Sequence, residues 1–464
     1  MGFYVIISSI IFPLNKMNEK NSPNKLGTEK IGKLLWEFSV PAIITTTATS
    51  LYNIIDRIFI GQGVGPMAIA GLALTFPLMN LAAAFGSLVG IGAATMVSIR
   101  LGQKDIDGAT NTLGNSVFLN IVIGIIYTVV MLIFLEPILF YFGASNETMP
   151  YAKDFMRIIL AGNIFTHLYL GLNNIIRASG YPKKAMIVTL LTIAMNIILA
   201  PVFIFGLGWG IKGAALATVC AQFTGTLWAV VHFSNKKSYV RFMRGHFKPK
   251  LKIISDIFSI GMSNFIMFVS MSIVIVVMNM ILEKYGGDFA IGAFGIVSAI
   301  QGLFAMIVLG FNQGMQPIAG YNFGAQQFDR VKTVFRKTVI AGIAVTSFGF
   351  LVSQIFPGMI ASAFTSDDKM IKLTSTGLHL IFAVYPIVGF QMVTSNLFQS
   401  IGYARVSIIL SLSRQVIFFL PALLILSNMF QLNGAWLATP VADILSTLLT
   451  FFILKDQMRK IGRN

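Results

Sequence analysis

The sequence predicts an all-α polytopic membrane protein with twelve transmembrane helices in two six-helix, parallel, pseudo-symmetric bundles. The chain has 464 residues, of which 56% are hydrophobic and only 11% are charged. A soluble domain carries about 25% charged residues. Apolar runs of about twenty residues recur along the whole chain, and each is long enough to cross a hydrocarbon core of about 30 Å.

Polar loops containing Gly, Pro or Asn separate the predicted spans. The spans run near residues 34–60, 67–99, 113–140, 151–176, 184–206, 211–233, 253–283, 289–320, 333–362, 371–400, 404–428 and 432–454. The predicted organisation is therefore a segment 1–33, a lobe 34–233, a basic linker 234–252, a lobe 253–454 and a tail 455–464.

An internal repeat predicts the symmetry of the two lobes. MAIAG at Met67 resembles FAIGA at Phe289, RLGQKD at Arg100 resembles NFGAQQ at Asn322, and SGYPKKA at Ser179 resembles IGYARVS at Ile401, each with the same offset of 222 in the numbering. KGAALAT matches NGAWLAT at an offset of 221. Each half has an even number of spans, so both halves share one orientation in the membrane. Parallel repeats of this kind occur in transporters, with the substrate cavity at the repeat interface.

The net charge is +17, and the basic residues that produce it cluster in alternate loops. This distribution indicates membrane topology rather than a nucleic-acid partner. By this rule both termini are cytoplasmic. The basic side holds Arg100, Lys104, Arg177, Lys183, Lys184, Lys236, Lys237, Arg241, Arg244, Lys248, Lys250, Lys252, Arg330, Lys332, Arg336, Lys337, Arg405 and both terminal segments.

The first sixteen residues differ in character from the segment that follows them. Residues 3–14 are apolar but too short to span, and they lack the basic leader and cleavage site of a signal peptide. Met17 opens a polar, lysine-bearing segment of the kind that precedes a first span. We interpret Met17 as the translation start, with an interfacial N-terminal segment as the alternative.

Asp56 is the leading candidate for function, because it lies about 33 Å along the first predicted helix. A charged side chain at membrane depth costs about 2.5–3.5 kcal/mol on insertion scales and is a functional candidate by default. Tyr52 lies one turn earlier on the same face. Asp56 could exchange a proton or bind a monovalent cation. The structural alternative, pairing with Arg57, is geometrically poor because neighbouring residues on a helix do not face each other.

The second half contains candidates for a polar site of its own. The spans that carry Arg414 and Asp443 enter the membrane from opposite sides, and both residues lie at a depth near the midplane. We expect an ion pair, because either charge alone would be costly there. Gln313 and Gln316 lie beside Pro317 and could line a cavity, although helix packing explains them nearly as well.

Motifs for catalysis and for metal binding are missing from the sequence. It contains no Walker-type glycine loop, no zinc-binding helix and no Gly-x-Ser-x-Gly elbow. The single cysteine excludes a disulfide framework and a cysteine metal site. The protein is therefore not expected to be an enzyme.

Three stretches together resemble a known family: YNIIDRIFIG from Tyr52, SGYPKKA from Ser179 and MNIILAPVFIFGLGWGIKGAALAT from Met195. With twelve spans in two parallel halves, the chain resembles multidrug and toxic compound extrusion (MATE) transporters of the DinF/MepA-like branch from about Lys30 onward. The resemblance implies antiport, in which cationic or amphipathic drugs leave while H⁺ or Na⁺ enters. It implies no cofactor beyond the coupling ion.

The resemblance also implies a cation site in the N-terminal half. The matching residues are Tyr52, Asp56, Asn196 and Thr218. Where the pattern has a further aspartate, this chain has Ala200, which leaves Asp56 as the only acid of the site. The acids of the related NorM-type branch have no counterpart here within the membrane.

The resulting interpretation is a monomeric drug exporter in the cell membrane, working by alternating access among membrane lipids. The alternative is a flippase for lipid-linked saccharides, which would need more basic residues in its cavity than this chain shows. A channel would need a ring of charge or a re-entrant filter.

Overall fold

The structure, a computed structural model, describes residues 24–460, except for the side chains of Ile54, Pro66 and Asp288. This range contains helices and no strand. The apolar stretch 3–14, the expected start at Met17 and the last four residues lie outside the described residues.

Twelve helical spans cross the molecule within residues 24–460, as the sequence predicts. Gly287 separates α7 from α8, and Gln431, with φ 52° and ψ −126°, separates α11 from α12. The spans are α1 Ile31–Gly63, α2 Pro66–Gly102, α3 Ile106–Tyr141, α4 Met149–Ala161 with Asn163–Ala178, α5 Pro182–Pro201 with Val202–Gly206, α6 Gly210–Ser234, α7 Leu251–Gly287, α8 Phe289–Gly324, α9 Phe328–Ile355, α10 Asp368–Ile381 with Tyr385–Ser400, α11 404–430 and α12 432–460.

Two spans that the sequence predicts as continuous are bent. The two parts of α4 meet at 55° around Gly162, and the two parts of α10 meet at 57° around residues 382–384. Gly162 is fixed by packing, because a Cβ there would collide with the side chain of Val219. Both bends fall at equivalent places in the two halves, so they belong to the repeat.

The end of α9 also differs from the prediction. The sequence predicts one helix over residues 333–362, but α9 ends at Ile355 and a separate short helix, Pro357–Ser362, follows. Phe356, between them, has φ −123° and ψ 36°. A residue before proline is disfavoured in the α conformation, which explains the break.

The predicted repeat is confirmed in the backbone itself. Left-handed residues occur in pairs, at Gly65 and Gly287, Lys104 and Gln326, Gly180 and Gly402, and Gly210 and Gln431. The first three pairs have the offset of 222 seen in the sequence motifs, and the last has the offset of 221. The turns between helices therefore keep the same conformation in the two halves even where one half lacks the favoured glycine.

The N-terminal lobe (α1–α6) and the C-terminal lobe (α7–α12) share one hydrophobic core only at the end that carries the basic loops. That core joins residues of both lobes, among them Leu34, Leu101, Ile257 and Val331. At the opposite end each lobe has its own core, with residues 60–217 in one and 278–442 in the other. The lobes are thus closed at the basic end and separate at the other.

Candidate functional site

Three of the four residues predicted for the N-terminal site form a connected group. Asn196 on α5 donates a hydrogen bond through Nδ2 to the hydroxyl of Thr218 on α6, at 3.0 Å. The Tyr52 hydroxyl on α1 lies close to the Thr218 side chain. Asn196 and Thr218 are both buried. The structure therefore brings together α1, α5 and α6 at one polar point.

Asp56 lies one turn after Tyr52 on the same helix, and its carboxylate is incompletely satisfied. Its Oδ1 is buried and has no hydrogen-bond partner among the described residues. The Arg57 guanidinium lies instead over the ring of Phe76, 4.8 Å from its centroid, and no described ion pair joins it to Asp56. A buried oxygen without a partner is costly, so this atom is available for a proton or a cation.

Ala200 contributes no polar atom to this group. It is completely buried and belongs to the apolar core of the outer part of the lobe, together with Ile60, Ile204 and Ala214. Among the described residues no three His, Cys, Asp or Glu side chains converge as a metal site. A cation at this point would depend on Asp56 for charge and on the oxygens of Tyr52, Asn196 and Thr218 for further coordination.

In the C-terminal lobe, Arg414 and Asp443 lie in contact. The Arg414 Nε donates to Asp443 Oδ1 at 2.7 Å, and Asp443 is 2% exposed. Arg414 lies in a π-helical segment of α11, Ser413–Phe419. Such segments displace side chains from the usual helical register, and here one carries the guanidinium that contacts α12. The second carboxylate oxygen of Asp443 has no described partner.

The other two residues of the predicted second-lobe site do not join this pair. Gln316 donates to the Thr95 hydroxyl of the N-terminal lobe at 2.9 Å. Gln313 accepts a hydrogen bond from Arg177, also in the N-terminal lobe. The described hydrogen bonds therefore do not bring the four predicted residues together. The cause is packing, because Gly310 and Gly314 let α8 lie directly against α1 and turn these amides toward the interface.

The sequence pattern does not identify Arg177 and Thr95 as residues of the interface between the lobes. The charge pattern assigns Arg177 to a basic loop, but it lies in the last turn of α4, where it bonds Asn174 at 2.7 Å as well as Gln313. The sequence signal that could have revealed it is the glycine at position 180, whose left-handed turn ends the helix after Arg177.

Comparisons with known proteins agree with this architecture. The MatE family model matches twice, at residues 41–202 and at residues 262–424, once in each lobe. The multidrug export protein MepA of Staphylococcus haemolyticus is 30% identical over 425 residues, which cover 91% of this chain and 93% of that protein. MepA of Staphylococcus aureus (strain NCTC 8325) is 29% identical over 92% of this chain and 94% of its own length.

Solved structures show the same fold. A MATE protein in its straight conformation is 25% identical, with a TM-score of 0.89 over 95% of this chain and 99% of that one. The outward-facing conformation of a multidrug resistance MATE family transporter gives a TM-score of 0.88 at 24% identity, over 95% and 98% of the two chains. The protein is thus a multi-pass membrane protein, and the chain belongs to the MatE family of transporters.

Proposed function

We propose that the protein exports cationic and amphipathic drugs and toxic compounds in exchange for H⁺ or Na⁺, by alternating access between the two lobes. The observation that carries this proposal is the half-buried Asp56 carboxylate, whose buried Oδ1 has no partner among the described residues, beside Tyr52 and the bonded pair Thr218 and Asn196. The relatives named as multidrug export proteins support the substrate class.

The mechanism rests on competition for one negative charge. When the cleft faces outward, Asp56 takes up a proton or a cation, and a bound cationic drug loses its counter-charge and leaves. When the cleft faces inward, Asp56 discharges its ion and the charge becomes available to drug. The arrangement of the cores supports the outward-facing state, since the lobes share a core only at the basic end.

The single carboxylate favours a proton over a sodium ion. One proton neutralises one carboxylate, whereas a sodium ion needs several oxygen ligands around it. The buried methyl group of Ala200 supplies none. Asp443 would not replace the missing acid, because its charge is already matched by Arg414 at 2.7 Å. We assign that pair to the stability of the C-terminal lobe.

The test is drug efflux from proteoliposomes under a proton gradient alone and a sodium gradient alone, with wild type, Asp56→Asn and Arg57→Gln. We expect the wild type to respond to the proton gradient, Asp56→Asn to lose gradient-driven transport while still folded, and Arg57→Gln to keep it. Normal transport by Asp56→Asn would overturn the assignment. A wild type that moves no drug under either gradient would make lipid-linked saccharide transport the function to test.

The proposed setting is the cell membrane, with both termini and the linker 234–252 in the cytoplasm, and a monomer surrounded by lipid. The basic loops support this orientation. The test is impermeant thiol labelling in intact cells of single cysteines at the exposed positions Lys237 and Ser145, in a Cys220→Ala background. Only the cysteine at Ser145 should react, and labelling at Lys237 instead would reverse the orientation.

A further inference from the structure

The segment before α1 crosses to the other lobe. We call residues 24–30 the first strap. Leu26, 1% exposed, directs its backbone carbonyl to two groups of the C-terminal lobe, the Asn322 amide and the Arg330 guanidinium, both at 2.9 Å. Arg330 also donates to the carbonyl of Glu29 at 2.7 Å. A further bond from Arg330 Nε to Asn322, at 2.8 Å, holds the two side chains together as one site.

The segment before α7 crosses in the opposite sense. We call residues 246–250 the second strap. Its Lys248 carbonyl accepts a hydrogen bond from the Asn115 amide of the N-terminal lobe at 3.3 Å, and its Lys250 N–H donates to Asn115 Oδ1 at 2.8 Å. His246 Nε2 lies 2.6 Å from Asp107 Oδ1. Asn115 is fully buried. Both polar atoms of its side-chain amide form hydrogen bonds with backbone groups of the second strap.

The two straps are related by the internal repeat. Leu26 and Lys248 differ in position by 222, the offset of the repeat itself. Each strap leads into the first helix of one lobe and binds the third helix of the other, α9 for the first strap and α3 for the second. Most of the bonds go to backbone atoms, so they depend on the path of the chain more than on the side chains of the strap.

The first strap also lies against the closed interface. Leu26 belongs to the core that the two lobes share. A Cβ on Gly27 would lie 3.0 Å from the ring of Tyr321, whose carbonyl oxygen packs directly on Gly102 of α2. An opening that moved α1 away from α8 would withdraw Leu26 and Glu29 from Arg330. The part-buried guanidinium would then lose two of its acceptors, a loss that favours the closed state.

We propose that each lobe carries a binding site for the strap of the other lobe, formed mainly by hydrogen bonds to the backbone of the strap, and that the two bound straps hold the basic end closed until transport releases them. The first site consists of Asn322 and Arg330, and the second consists of Asn115 and Asp107. The proposal rests on the alternating access proposed above, and it adds the elements that set the balance between its two states.

The test measures the opening itself. Spin labels are placed at Lys183 and Arg405, two exposed residues at equivalent positions of the repeat on the basic ends of the two lobes, in a Cys220→Ala background. Distances between the labels are measured by pulsed electron resonance in nanodiscs. Arg330→Ala removes two hydrogen bonds from a charged group to the strap, so we expect it to raise the ratio of long to short distances at least about tenfold.

Controls separate release of the straps from general damage. Lys332→Ala removes an exposed cation two residues away on the same helix and should leave the distances unchanged. Asp107→Asn acts on the exposed contact of the second strap and should shift the distances in the same direction, even if Arg330→Ala fails to fold. Unchanged distances in folded Arg330→Ala or in Asp107→Asn would overturn the proposal. The distances report closure without drug or gradient, so a failure of drug transport would leave this result standing.

Discussion

Gly102 of α2 lies directly beneath the carbonyl oxygen of Tyr321 on α8, so that a Cβ at Gly102 would overlap that oxygen. The reverse relationship holds at the equivalent position of the repeat, where a Cβ at Gly324 would overlap the carbonyl oxygen of Ile99. These reciprocal contacts close the basic end of the cleft. Small residues let the backbones of membrane helices approach this closely.

Gly324→Ala should therefore open the basic end. A backbone carbonyl cannot move aside as a flexible side chain can, and overpacking of this kind costs about 1–3 kcal/mol. The fully buried Ser98, replaced by cysteine in a Cys220→Ala background, should react faster with a thiol reagent when Gly324 is alanine. Gly302→Ala, on the same helix with open space around it, is the control and should change nothing. Equal reaction rates in the two variants would contradict this account of the closure.

Ala200→Asp should make the Tm of the protein depend on Na⁺ concentration. The substitution places a second acid one turn after Asn196, at a fully buried position where an unpaired charge is costly. A bound cation would offset that cost, and a ligand at about 100 times its Kd stabilises by about 2.7 kcal/mol. The Tm of the purified variant should rise with Na⁺ concentration, while Ala200→Asn and the wild type should show no such dependence. A sodium-independent Tm in Ala200→Asp would argue against a cation site at this point.

Breaking the Arg414–Asp443 pair should destabilise the C-terminal lobe more than replacing it. Arg414→Met leaves the Asp443 carboxylate buried and unpaired, at a cost of about 3–5 kcal/mol. The double variant Arg414→Met, Asp443→Leu removes both charges and should recover most of that loss. Unfolding of the purified protein across the four-member cycle gives the coupling free energy. Additive effects of the two single substitutions would mean that the pair contributes nothing as a pair.

Gln431→Gly should stabilise the protein. Gln431 has φ 52° and ψ −126°, a conformation that suits glycine, and its repeat partner is Gly210. Relief of such backbone strain contributes about 1–3 kcal/mol, partly offset by the greater flexibility of glycine in the unfolded chain. A higher Tm for Gln431→Gly and no gain for Gln431→Ala would be the expected pattern. A gain of the same size in both variants would mean that strain at this turn is unimportant.

Apolar run length and the repeat predicted the helices well, because hydrophobic thickness and chain direction fix them. The bends within individual spans do not follow from run length or from the repeat. The bend at Gly162 depends on Val219, which lies far along the chain. In the site, spacing and resemblance indicate Tyr52, Asn196 and Thr218; Asn196 bonds Thr218, and Tyr52 lies close to that pair. Gln313 and Gln316 contact the other lobe instead, because partner choice depends on how closely α8 approaches that lobe.

The first strap also constrains the order of events during synthesis. The partners of Leu26, Asn322 and Arg330, lie 296 and 304 residues later in the chain. At about 5–20 residues per second, the ribosome needs about 15–60 s to produce them. During that time the first strap has no binding partners, although the N-terminal lobe is already in the membrane. The closed end therefore forms only after α9 has emerged, so its assembly is a late, post-insertion step.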